Sequence, residues 1–113
     1  YTPAGDTPAS VNAISGACMF LPRHTLNLIG KFTQQVFMYY EDLDYCRRIR
    51  MAGWKIYFNP QIQVVHEHGQ SSKKAGPLAY KYLRDSSLWY SGRLKHYLMY
   101  LISLSGQKIF GIK

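Results

Sequence analysis

The stretch from Glu41 to Phe58, EDLDYCRRIRMAGWKIYF, constrains the fold most, because one periodicity gives way there to another. Glu41, Asp42 and Asp44 open it, Arg47, Arg48 and Arg50 follow, and Gly53 stops it. Acids at the start and bases at the end complement the partial charges of a helix, so the order predicts a helix over 41–52. Leu43, Cys46, Ile49 and the stem of Arg50 would form its inward stripe. Directly after Gly53, Trp54, Ile56 and Phe58 alternate with Lys55 and Tyr57, which is the two-residue period of a strand. A helix that passes through a glycine into a strand belongs to a mixed α/β arrangement, not to an all-helical or all-β one.

The flanking segments fit that arrangement. Residues 1–10 are loop material by their Pro, Gly, Ser and Asp content. Val11–Leu21 is apolar around Gly16 and reads as a buried strand with a close backbone approach. Pro22–Gly30 reads as a short helix with proline in its first turn and glycine at its end. Asn59-Pro60 signals a turn, and Ile62–His66 reads as a further strand. From Pro77 onward the pattern is helical and aromatic, with a break expected at Gly92.

Charge is segregated along the chain. The net charge of +8 comes from 14 basic and six acidic residues. Residues 71–113 hold eight of the basic residues and one acid, Asp85, so the basic character belongs to the tail and points to an anionic neighbour. Cys18 and Cys46 are the only cysteines and form no CxxC pair, which argues against a disulfide framework or a zinc knuckle and favours a reducing compartment. No apolar run is long enough to span a bilayer.

Three constellations could carry chemistry. The first is the Glu41, Asp42, Asp44 cluster. Compensation of the helix dipole, worth a few tenths to about 1 kcal/mol, would explain it without any catalysis. The sharper reading makes one carboxylate a general base, because crowded carboxylates disfavour joint ionisation. Glu41 and Asp44 share a helix face with Arg48, which could hold them as supporting acids, whereas Asp42 lies to one side and could face a cleft. The second is His66 and His68 at the end of VVHEHG, either hydrogen-bonding residues at a strand end or metal ligands needing partners from elsewhere. The third is the tail, where tyrosines and Trp89 interleave with Lys81, Arg84, Arg93 and Lys95. Packing against the rest of the protein, an anionic membrane surface, and nucleic acid all suit that composition, in decreasing order of preference.

Together, SGACMFLPRHTLNLIGKF and FMYYEDLDYCRRIRMAGWKIYFNPQIQVVHEHGQSS resemble the C-terminal half of a family 2 glycosyltransferase. The bacterial rhamnosyltransferase-like group that builds cell-surface polysaccharides is the nearest in pattern. The resemblance covers residues 11–72 and extends more loosely into the tail. It implies a partial GT-A fold, a Rossmann-like α/β domain, over residues 1–72, followed by a basic helical tail over 73–113.

The resemblance also implies an inverting sugar transfer from a nucleotide-diphosphate sugar to a saccharide or lipid-linked acceptor. Asp42 falls at the position of the catalytic base. Asp44 falls at the second acid, with Glu41 and Arg48 in support near the acceptor, and Ser15 and Gly16 line the sugar cleft. His66 falls where some members place a histidine that helps bind a divalent metal, Mg or Mn, with the diphosphate. Two positions depart from the family pattern: Phe32-Thr33-Gln34 replaces Phe-Asp-Glu, and Asn12-Ala13 replaces Asp-Trp before the Ser-Gly. The departures bear on substrate identity more than on reaction class.

No nucleotide-gripping Asp-x-Asp precedes the matched region, so the chain reads as a fragment that binds no metal and transfers no sugar alone. The expected setting is cytoplasmic, peripheral at the inner face of a bacterial membrane, with self-association through uncovered apolar surface. The competing reading is a basic amphipathic module for an anionic membrane or nucleic acid, the latter disfavoured for want of any recognised nucleic-acid signature.

Overall fold

A computed structural model describes residues 5–67 and 69–110. Among them are two short strands and five helices: β1 (Ala9–Val11), α1 (Arg23–Ile29), α2 (Glu41–Met51), β2 (Ile56–Phe58), α3 (Gln70–Ala75), α4 (Leu78–Ser91) and α5 (Arg93–Phe110). The strands pair antiparallel in the register Ala9↔Phe58, Ser10↔Tyr57 and Val11↔Ile56. None of the helices is long and apolar enough to cross a membrane.

α2 forms where its charge order places it and is the centre of the packing. Tyr45, Cys46 and Ile49 project from it into a core completed by Ile56 of β2, with Val11, Ile14, Met19, Leu21 and Ile29 packed around them. Tyr45 is wholly buried, and its hydroxyl donates to the Gly30 carbonyl at 2.8 Å. Its ring meets Phe32 with centroids 4.7 Å apart, while the Arg48 guanidinium lies 4.8 Å from the ring centroid. The expected stripe is therefore shifted: Cys46 and Ile49 point inward, but Leu43 is 37% exposed and Arg50 is exposed, and Tyr45 takes the central place. A tyrosine can bury its ring because Gly30, at the end of α1, offers a carbonyl for its hydroxyl. Gly30 has a φ of 81°, a conformation available to glycine, and this ends α1 beneath the tyrosine.

Two expected strands do not form. In the Val11–Leu21 segment only Val11 joins the sheet, because the following amide groups bond to side chains instead of a ladder. Gly16 N–H donates to Asp42 Oδ2 at 2.9 Å, and Ala17 N–H to Ser15 Oγ at 3.2 Å. The Asn59-Pro60 turn is present, with Gln61 N–H donating to Asn59 Oδ1 at 3.1 Å. The chain beyond it does not fold back onto β2, whose partner is β1. Ile62, Val64 and Val65 lie outside any strand and are exposed, Val65 completely.

The basic, aromatic part of the chain is helical, starting with α3 over Gln70–Ala75. Gly69 and Gly76 bracket α3, and Gly92, with a φ of 77°, separates α4 from α5 as its sequence predicts.

Candidate active site

The N-terminus of α2 follows an unusual backbone. Tyr39 and Tyr40 both take left-handed conformations, with φ of 66° and 65°. Bulky side chains rarely occupy that region, and each such residue costs on the order of 1–3 kcal/mol unless its surroundings impose it. Tyr40 is the N-cap residue; its carbonyl accepts from Asp44 N–H at 2.8 Å, but no side chain caps the helix. Within α2 the helical step of about 100° per residue then points Glu41, Asp42 and Asp44 in three different directions.

Asp42 points toward the Ser15–Gly16 corner. Its Oδ2 accepts from Gly16 N–H at 2.9 Å and its Oδ1 from Leu43 N–H at 2.8 Å. Two backbone donors fix the carboxylate plane while leaving each oxygen a further lone pair. The carboxylate forms part of the wall of an open groove of about 680 Å³, shared with Ile14, Ser15, Cys18, Tyr57 and Val64. A Cβ added at Gly16 would sit 3.4 Å from Asp42 Cβ and 3.7 Å from its Oδ2, at the near limit of ordinary van der Waals contact, so a methyl group there would fill the space between the two segments.

Asp44 turns the other way and is 1% exposed. Arg47 Nη2 donates to its Oδ1 at 2.9 Å and Arg48 Nε to its Oδ2 at 3.0 Å. Arg48 also donates to the Ile29 carbonyl at 2.9 Å and the Lys31 carbonyl at 3.0 Å, which ties the end of α1 to α2. Asp44 and Arg48 thus form a structural ion-pair network on the side of α2 away from the groove. Glu41 is half-buried, and its Oε2 has no hydrogen-bond partner among the described residues. The acidic cluster is thereby divided: one acid on the groove wall, one neutralised by two arginines, and one partly enclosed.

The structure brings Asp42, Ser15 and Gly16 together and puts Asp44 and Arg48 behind them. His66 is exposed in the segment after the Asn59-Pro60 turn, two residues beyond Val64 of the groove wall, and His68 lies outside the described residues. Among the described residues, the donors do not make a site for a divalent metal. No three His, Cys, Asp or Glu side chains converge among the described residues, Asp44 is committed to its arginines, and Glu41 Oε2 is a single donor. Cys46, beneath the groove, has its thiol pushed up by burial first and by the Asp42 charge as well; its contact with the Ile14 carbonyl and the nearby Arg50 pull the other way.

Two participants escape the sequence reading. Arg47 is Asp44's second partner, and the signal was present in its three-residue spacing. The left-handed Tyr39–Tyr40 pair had no such signal, since those positions usually select Gly or Asn.

The chain belongs to the glycosyltransferase like family 2, whose model matches residues 2–79. It is similar to the N-acetylglucosaminyl-diphospho-decaprenol L-rhamnosyltransferases of Mycobacterium tuberculosis strains CDC 1551 / Oshkosh and ATCC 25618 / H37Rv. Identity to each is 34% over 62 residues, which cover 55% of this chain and 20% of the relative. The matched region thus spans about a fifth of the length of these curated relatives. No solved structure matches the chain.

Proposed function

We propose that this chain is the acceptor-side part of an inverting, GT-A-type sugar transferase in which Asp42 is the general base. The observation that carries the reading is the placement of Asp42: a carboxylate oriented by Gly16 N–H and Leu43 N–H on the wall of an open groove. Asp42 would take the proton of an acceptor hydroxyl as that oxygen bonds to the anomeric carbon. The bond from that carbon to the diphosphate oxygen breaks on the opposite face, and the electron pair leaves with the nucleoside diphosphate. Displacement from the opposite face inverts the configuration.

The relatives' name supports an L-rhamnosyl donor and a polyprenol-linked N-acetylglucosaminyl diphosphate acceptor. A lipid-linked acceptor also suits the tail, where α5 exposes Leu94, Leu98 and Leu101 beside Arg93 and Lys95, a surface compatible with an anionic membrane face. A divalent ion, where the intact enzyme uses one, would offset charge on the departing diphosphate, and most of its ligands would come from outside the described residues. The chain alone is proposed not to turn over.

The test is Asp42→Asn in the intact protein, with transfer from a nucleotide-diphosphate sugar followed by product formation. The rate should fall by about 10²–10⁴-fold while the donor still binds. Transfer near the parent rate would remove Asp42 from the role of base.

A further inference from the structure

We propose that α3 and α4 form a clamp that holds the left-handed Tyr39–Tyr40 corner and so sets the position of Asp42. The proposal rests on Asp42 being the base. Every residue from Phe37 to Tyr40 has its own contact with the tail. The Phe37 ring lies 5.0 Å from Tyr82, centroid to centroid. The Met38 carbonyl accepts from the buried Ser86 hydroxyl at 2.8 Å. The hydroxyls of Tyr39 and Ser72 are hydrogen-bonded at 2.8 Å, and the Tyr40 ring lies 5.3 Å from Tyr90. Two turns further along α2, Arg47 stacks over the Tyr90 ring at 4.6 Å and donates to the Tyr90 carbonyl at 3.4 Å.

These contacts follow the order of the chain, from α4 to α3 and back to α4, so they grip consecutive residues from two directions. A corner built from two left-handed tyrosines persists where its surroundings over-determine it, and these contacts supply that constraint. Asp42 is two residues downstream, on a rigid helical turn. Relaxation of Tyr39 or Tyr40 toward an ordinary backbone would swing the start of α2 and pull Asp42 off the Gly16 amide. Ser72, Ser86 and Tyr39 touch no reacting atom in this scheme. They are positioning residues.

The experiment compares the intact protein with Ser72→Ala, Ser86→Ala, Tyr39→Phe and the Tyr39→Phe/Ser72→Ala double variant. Two readouts are taken: steady-state transfer, and amide hydrogen exchange over residues 39–45. Ser72→Ala and Ser86→Ala should each lower kcat by about tenfold, with KM for the nucleotide sugar within about twofold, because misplacement of a reacting group acts on the chemical step. Exchange over 39–45 should quicken in the same variants. The double variant should be no worse than its worse single, since both remove one hydrogen bond.

Parent-like kcat together with parent-like exchange would overturn the clamp. So would losses that raise KM alone, or that merely follow a drop in global stability. The exchange readout needs no activity, so it tests the clamp even where Asp42→Asn proves active and the base assignment fails.

Discussion

Asp42 and Asp44 stand two residues apart on one helix, yet their surroundings are opposite. Asp42 meets two backbone amides on a groove wall, and Asp44 is sealed between two guanidinium groups. A carboxylate held by neutral donors at an opening is placed to act on something that arrives. A carboxylate neutralised in the interior is placed to hold its own helix. The same residue type is thus a groove-wall acid at one position and an ion-pair partner two residues on, and the proposed base assignment rests on that contrast.

Asp44→Asn gives that comparison its hardest test. It leaves Arg47 and Arg48 without their charge partner and should destabilise the protein by about 2 kcal/mol. The full 3–5 kcal/mol of an enclosed pair is not expected, because both guanidiniums also reach water. Chemical denaturation would measure it, and Asp42→Asn should shift the same midpoint far less. Equal losses from the two substitutions would erase the distinction between them.

Gly16→Ala is a gentler probe of the groove side alone. Its new methyl would press on Asp42 at the edge of ordinary contact, so transfer should fall a few-fold with little change in stability. A rate unchanged by the methyl would mean that the Gly16 approach does not position the carboxylate.

The smallest effect concerns the two thiols. Cys18 is exposed and Cys46 buried, so an alkylating reagent should label Cys18 in the native protein and reach Cys46 only on unfolding. Because the Cys46 thiol is raised, the folded state favours its protonated form. That contribution is intact below the ordinary cysteine pKa of about 8.5 and declines as the pH rises past it. Equal labelling of both thiols in the native state would contradict the packing beneath the groove.

Much of this was legible in the residues. The acid-to-base order of α2, Gly53 after it and the Ile56/Phe58 alternation gave the helix and β2 directly. The long composite around EDLD pointed to the family that its model now matches. What was not legible shares one cause: the partner of each segment lies far away in the chain. Val11–Leu21 and Ile62–His66 both carry strand composition, but a strand needs a neighbour, and β2 pairs with Ala9–Val11. Asp42 draws the Gly16 amide to itself from 26 residues away, which no local pattern announces. The left-handed tyrosines were invisible for the same reason, since their conformation is held by residues that follow much later.

The grip of α3 and α4 on Phe37–Tyr40 bears on modularity. A tail that only hung from the domain could be exchanged between relatives, shortened, or replaced by an unrelated anchor without touching what comes before it. Here Ser72, Tyr82, Ser86 and Tyr90 meet consecutive residues at the head of α2. The two parts must then change together: a graft that brings a new tail also has to bring a matching Phe-Met-Tyr-Tyr, or the helix start it inherits will have nothing to lean on.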